Sequence, residues 1–179
     1  MATRIAATPG PTVQETLAAR GAVWMSSTPE EQAELLDETE WSRRLEWCQV
    51  LAMAGYLRLY QLPEGQALFH EGDHDAFMAI VLEGGLQIHK SDSSDQDRIV
   101  TTISRGKMLG QMSLLDGASR SASSTAAELT TLLVLTRREF QGLGEDNPTL
   151  GLAITTAIAA TIAQLLRQTT GALAEHLES

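Results

Sequence analysis

Residues 109–126 read LGQMSLLDGASRSASSTA, and their order suits one chemical task better than any other. Gly110 permits a sharp turn and a close backbone approach, and a single apolar turn follows over 112–115. A second bend at Asp116 and Gly117 leads to Arg120 and the small residues Ser121 and Ala122. Free N–H groups at a helix start point at an anion. A guanidinium offers a planar fork of donors for phosphate, and small neighbours leave room for it. The order predicts an oxyanion-binding loop. On this stretch alone the alternative is a polar surface turn with a stray arginine.

Such a loop needs a scaffold, and the flanking sequence describes one. From Tyr56, short runs rich in Val, Ile, Leu and Phe alternate with glycine turns at intervals of roughly 8–15 residues. The runs cover 57–62, 67–70, 77–83, 86–90, 98–104, 122–128 and 131–136. Gly84-Gly85 suits a two-residue hairpin turn, and 91–97 is a polar loop. The pattern predicts an antiparallel roll of about eight strands, so the fold class is mainly β, a jelly-roll with flanking helices.

Helical signals bracket the roll. Pro9, Gly10 and Pro11 break any early element, and Thr12 starts a short helix toward Gly21. Residues 1–27 otherwise read as a flexible or loosely docked segment. Thr28, Pro29 and Glu31 form a helix start with a capping box. A further helix over 40–54 puts Trp41, Leu45, Cys48 and Ala52 on one face, with Trp47 and Leu51 beside it, Cys48 being buried. Residues 28–55 are thus N-terminal helices, 56–136 the roll and 137–179 C-terminal helices. Residues 137–143 make one or two turns ended by Gly142 and Gly144, and Asn147-Pro148 opens a long helix to about Thr170, where Gly171 ends or bends it. Residues 147–166 carry no charge, but their threonines and alanines argue against a membrane span. Ile154, Ile158, Thr161 and Leu165 recur at coiled-coil-like spacing, with Ala153, Ala157 and Ala160 alongside. That fits a helix packed against the roll on one face and a second copy on another, and so predicts a homodimer through the 147–170 helix.

Composition narrows the function. The formal net charge is -10 over 179 residues, which disfavours a nucleic-acid backbone as partner. A local arginine and backbone dipoles still outweigh a distant field for a small anion. The single cysteine rules out an internal disulfide. With no apolar N-terminal run of signal type, a cytoplasmic protein is expected.

Residues 57–170 resemble the cyclic nucleotide-binding domain family, the sensor module of bacterial catabolite-activator-type regulators and of cyclic-nucleotide-dependent kinases and channels. The resemblance rests on LPEGQALFHEGD, MAIVLEGGLQIHK, SRGKMLGQMSLLDGASRSA and LLVLTRREFQGL in family order. It implies a phosphate-binding cassette in which Arg120 pairs with the cyclic phosphate and Ser121 and Ala122 donate to it. The implied site is Gly110, Gln111, Met112, Ser113, Arg120, Ser121 and Ala122. Three positions depart from the family pattern: Leu109 replaces an aromatic residue, Ser119 a proline and Gln111 a glutamate. That glutamate accepts from the ribose hydroxyl, and glutamine keeps an acceptor oxygen without the charge. Thr169 and Thr170 resemble the paired hydroxyls that meet the base, although that register needs about one extra turn of helix.

The implied ligand is cyclic AMP, with cyclic GMP or a cyclic dinucleotide as alternatives. The regulators in this family carry a winged helix-turn-helix after the dimerisation helix, whereas this sequence ends in the acidic GALAEHLES. A stand-alone, non-catalytic sensor without a DNA-binding domain is therefore expected, acting on an unidentified protein partner, with no nucleic acid and no membrane. The Trp41–Trp47 segment is its candidate transmitter. A ligand-free, dimerising scaffold is the second reading, supported by Gln111. A cupin-like metalloenzyme is the third, but His70, His74, Glu83 and His89 lack the paired His-X-His that chelation from a strand favours. No strained nucleophile turn is present either.

Overall fold

Helices begin where their caps place them. In the computed structural model, which describes residues 11–91 and 97–177, α1 (Val13–Ala19) opens with a reciprocal box between Thr12 and Glu15. A short strand, β1 (Val23–Met25), leads to α2 (Pro29–Asp37), where Thr28 and Glu31 form the same box ahead of Pro29. Each box satisfies backbone donors that a helix start leaves free. The segment before Thr28, expected to be loosely docked, thus contributes a fully buried Leu17 and a strand paired to the roll. Of the expected polar loop 91–97, Ser91 and Asp97 are strand residues, and 92–96 lie outside the described residues, as do the first ten residues with Pro9 and Gly10.

The one helix expected over 40–54 is two pieces. A 3-10 turn (Ser42–Arg44) gives way to extended backbone at Leu45. Then α3 (Trp47–Ala54) starts afresh, the Gln49 side chain accepting from the Glu46 N–H. This break rotates the buried face. Trp41, Val50, Met53 and Ala54 are buried, whereas Trp47 is half exposed and Cys48, expected inside, is exposed.

The roll follows as β2 (Arg58–Leu62), β3 (Ala67–Phe69), β4 (Phe77–Glu83), β5 (Gly85–Ser91), β6 (Asp97–Ser104) and β7 (Met108–Leu109). After the short helix α4 (Gln111–Asp116) come β8 (Ser123–Ala126) and β9 (Thr130–Thr136). Among the described residues these make two antiparallel sheets, ordered β1-β2-β9-β4-β7 and β3-β8-β5-β6. Since β4 and β5 belong to different sheets, Gly84-Gly85 is no hairpin turn: the chain there crosses from one layer to the other.

Period-two alternation builds both cores from the central strands. Met78, Ile80 and Leu82 of β4, with Leu133 and Leu135 of β9, face the helices. Phe77, Ala79 and Val81, with Leu132 and Val134, face the interior of the roll. β4 is accordingly buried on both faces.

At the C-terminal side, α5 (Arg137–Asp146) begins with the Thr136–Glu139 box and runs through Gly142 and Gly144, which were expected to end it. Gly144 instead lets the next helix come close, since a Cβ on Gly151 would stand 2.8 Å from its Cα. That helix, α6 (Pro148–Leu177), continues past Gly171. By length and composition its Pro148–Ala172 portion is apolar enough to cross a membrane. Its buried residues, Leu150, Ile154, Ala157 and Ile158, lie on one face and belong to the helical core.

Candidate functional site

The left-handed backbone of Gly110 (φ 77°) turns the chain from β7 directly into α4. Leu114 anchors this short helix in the core beneath it. From the loop after α4, Arg120 is held at its backbone: its N–H donates to the Asp73 carbonyl at 2.8 Å and its carbonyl accepts from Gly72 N–H at 2.9 Å. Both partners lie in the turn between β3 and β4, so the arginine is fixed by two segments at once.

The Arg120 side chain is buried, 3% exposed for the residue as a whole. Its guanidinium carbon lies 4.2 Å from the ring centres of both Phe69 and Phe77, where the ring faces attract a cation. Nη1 donates to the Phe77 carbonyl at 2.8 Å and to Ser113 Oγ at 2.7 Å, and Nε reaches Asp75 Oδ1 at 3.3 Å. Burial pushes the guanidinium below its ordinary pKa, and the Asp75 carboxylate pulls it back up. It is a pinned cation. Its Nη2 is buried without a partner, and so is Oε1 of the buried Gln111.

Both residues line a cavity of about 370 Å³, within the range of small-molecule pockets. Gly110, Gln111, Met112, Ser113, Arg120, Ser121 and Ala122 all line it, so the structure gathers seven sequence-indicated positions around one space. Thr169 and Thr170 are not brought to it. Both are exposed, and their hydroxyls donate to the carbonyls of Leu165 and Leu166, one turn back along α6. Leu165 is the α6 residue that reaches the cavity.

Apolar walls that no motif marks, Phe69, Ile88, Ile103 and Met108, complete the cavity. Alternation within the strands was their available signal, but which alternate face closes over the loop depends on how the two sheets stack. Among the described residues, no group of three or more His, Cys, Asp or Glu is placed to hold a metal ion.

Residues 59–147 match the family model for the cyclic nucleotide-binding domain. Over 111 residues the chain is 33% identical to the "Cyclic AMP receptor protein" of Thermus thermophilus, covering 62% of this chain and 49% of that protein. A segment of the lysophospholipase NTE1 of Chaetomium globosum is 29% identical over 68% of this chain but 7% of that enzyme. The chain thus spans about half of the first relative and a small part of the second. In fold it is similar to a crystallised cyclic nucleotide-binding domain from Methylobacillus flagellatus KT. That match has a TM-score of 0.76 and 22% identity, over 87% of this chain and 89% of that one.

Proposed function

We propose, for a chain that belongs to the cyclic nucleotide-binding domain family, that it is a non-catalytic cytoplasmic sensor binding cyclic AMP or a related cyclic nucleotide. One observation carries this reading. Arg120 is buried yet keeps Nη2 unpaired, in the wall of a cavity it shares with Gln111, whose Oε1 is unpaired as well. Unsatisfied buried polar atoms are costly and call for a partner. A cyclic phosphate offers the anionic oxygen that Nη2 lacks, and a ribose hydroxyl offers the donor that Oε1 lacks. The name of the Thermus thermophilus relative supports cyclic AMP among the candidates, and membership of a typically regulatory family supports a role without catalysis.

Output runs to a protein partner through a homodimer. Leu152 and Leu166 of α6 are 69% and 65% exposed, and a second copy of the helix would cover such a stripe. The acidic balance of the chain opposes direct contact with nucleic acid.

Thermal unfolding with cyclic AMP, cyclic GMP and cyclic di-GMP tests the reading. A nucleotide at ten times its dissociation constant stabilises the folded state by about 1.4 kcal/mol. For a chain of this size that raises the midpoint by about 3–6 °C. No rise with any of the three at millimolar concentration overturns the sensor reading in favour of a ligand-free scaffold. Gln111→Glu is expected to lower the dissociation constant of the nucleotide about fivefold by titration calorimetry, because a charged acceptor roughly doubles the strength of the hydroxyl bond.

A further inference from the structure

Arg120 does not stand alone beneath its cavity. Asp75 Oδ1 accepts from Arg120 Nε at 3.3 Å, while Asp75 Oδ2 accepts from Arg20 Nη1 at 2.8 Å. Arg20, just past the end of α1, also donates from Nη2 to Asp73 Oδ2 at 2.7 Å and from Nη1 to the Leu68 carbonyl at 2.9 Å. These are not surface pairs: the side chains of Arg20, Asp75 and Arg120 are 17%, 10% and 2% exposed. Two cations and two carboxylates are thus joined in one largely buried network, where removal of a member is felt by the rest.

The arrangement bears on which donor of Arg120 stays free. A carboxylate beside an arginine favours a two-pronged bond, both oxygens meeting parallel N–H groups. Nε and Nη2 form such an edge, and Asp75 already holds Nε. Because Arg20 Nη1 holds Oδ2 at 2.8 Å, the carboxylate is turned toward Arg20 and meets Arg120 through Oδ1 alone, and Nη2 has no partner. We propose that Arg20 is a positioning residue for ligand binding: it holds Asp75 to a single-pronged contact and so keeps Arg120 Nη2 available to an anionic ligand. The segment carrying α1 is then part of the anion-reading machinery. The nature of the ligand rests on the sensor reading above, whereas the arrangement of the two arginines does not.

The test combines nitrogen–proton NMR of arginine side chains in nucleotide-free protein with titration by cyclic AMP and cyclic GMP. In Arg20→Ala, Asp75 is free to take Nη2. The Arg120 guanidinium resonances are expected to shift, and the dissociation constant to rise about tenfold. Arg20→Lys keeps a cation on Oδ2 and stays near wild type. Asp75→Asn added to Arg20→Ala removes the competing carboxylate and restores most of the affinity, a rescue that a merely structural loss of α1 docking would not produce. Arg20→Gln reads the same point if Arg20→Ala fails to fold. Unmoved Arg120 resonances in Arg20→Ala overturn the inference, as does the lack of rescue by Asp75→Asn. A wild type that binds neither nucleotide, with Arg120 resonances that still shift in Arg20→Ala, overturns the sensor reading and upholds the positioning role.

Discussion

Alanine at position 120 is expected to raise the dissociation constant of the cyclic nucleotide at least about 100-fold, a loss of about 2.7 kcal/mol. The same change should lower the unfolding free energy of the nucleotide-free protein by only about 1–2 kcal/mol, as for a buried acceptor left unpaired, and not by the roughly 3–5 kcal/mol of a buried charge left without any counter-charge. The two figures differ because different terms govern them. In the free protein the guanidinium suffers desolvation, which the Asp75 carboxylate and the faces of Phe69 and Phe77 offset. Truncation removes the penalty together with the attraction, and Asp75 keeps Arg20 as its counter-charge. What remains is a cavity between two rings and an unpaired Phe77 carbonyl. In the complex nothing offsets the loss. A phosphate that has left water would face no cation, and charge-assisted bonds of about 1.5–3 kcal/mol each disappear. Arg120→Lys should recover little, since an ammonium cannot reach the Phe77 carbonyl, Ser113 and a ligand in one plane. Urea unfolding without nucleotide and calorimetric titration separate the two terms. Unchanged affinity would sink the anion reading, and a stability loss above about 4 kcal/mol would make Arg120 a structural residue instead.

The parts of this site that were legible in the sequence are the parts that are contiguous. Residues 110–113 and 120–122 sit within one short stretch, where glycine turns, one arginine and small neighbours announce their use locally. The setting of Arg120 is the opposite case. Asp75 and Phe77 lie 45 and 43 residues away along the chain, and nothing near them marks them as its partners. Arg20 is more remote still, and its role follows only from the way α1 meets the β3–β4 turn. Strands long enough to alternate, such as β4 and β9, were readable, whereas β1 and β7 were not. With three and two residues those two are strands only because a neighbour pairs with them. The break at Leu45 was hidden for a related reason, because helical periodicity runs on across it and the restart depends on Glu46 and Gln49. Along α6, threonines, alanines and leucines repeat with little interruption. The residue that reaches the cavity, Leu165, therefore differs by one turn from the threonines picked out by resemblance.

Gly110→Ala is expected to damage both stability and binding, although it adds a single methyl group. The backbone at 110 has φ 77°, which costs an L-residue about 1–2 kcal/mol. The added Cβ would stand 2.5 Å from Arg120 Nη1 and 2.6 Å from the Phe77 carbonyl oxygen. Neither neighbour can give way easily. The carbonyl belongs to β4, the strand buried on both faces, and Nη1 is held by that carbonyl and by Ser113 Oγ. Overpacking of this kind adds about 1–3 kcal/mol, so a total loss of about 2–5 kcal/mol in urea unfolding is expected. Any relief must come from shifting the guanidinium, which spoils the geometry that presents Nη2. Nucleotide affinity should then fall at least about tenfold in whatever fraction folds. Gly117 supplies the control from the other end of α4. Its φ of 71° brings the same backbone cost, but its Cβ would meet the guanidinium of Arg137, the far end of a flexible side chain at the margin of the site. Gly117→Ala should therefore cost only about 1–2 kcal/mol and leave the titration curve in place. Equal effects of the two substitutions on binding would mean that α4 as a whole, and not the contact between Gly110 and Arg120, sets the affinity. A larger effect at Gly110 locates the control of the anion site in the space that a missing side chain leaves for one guanidinium.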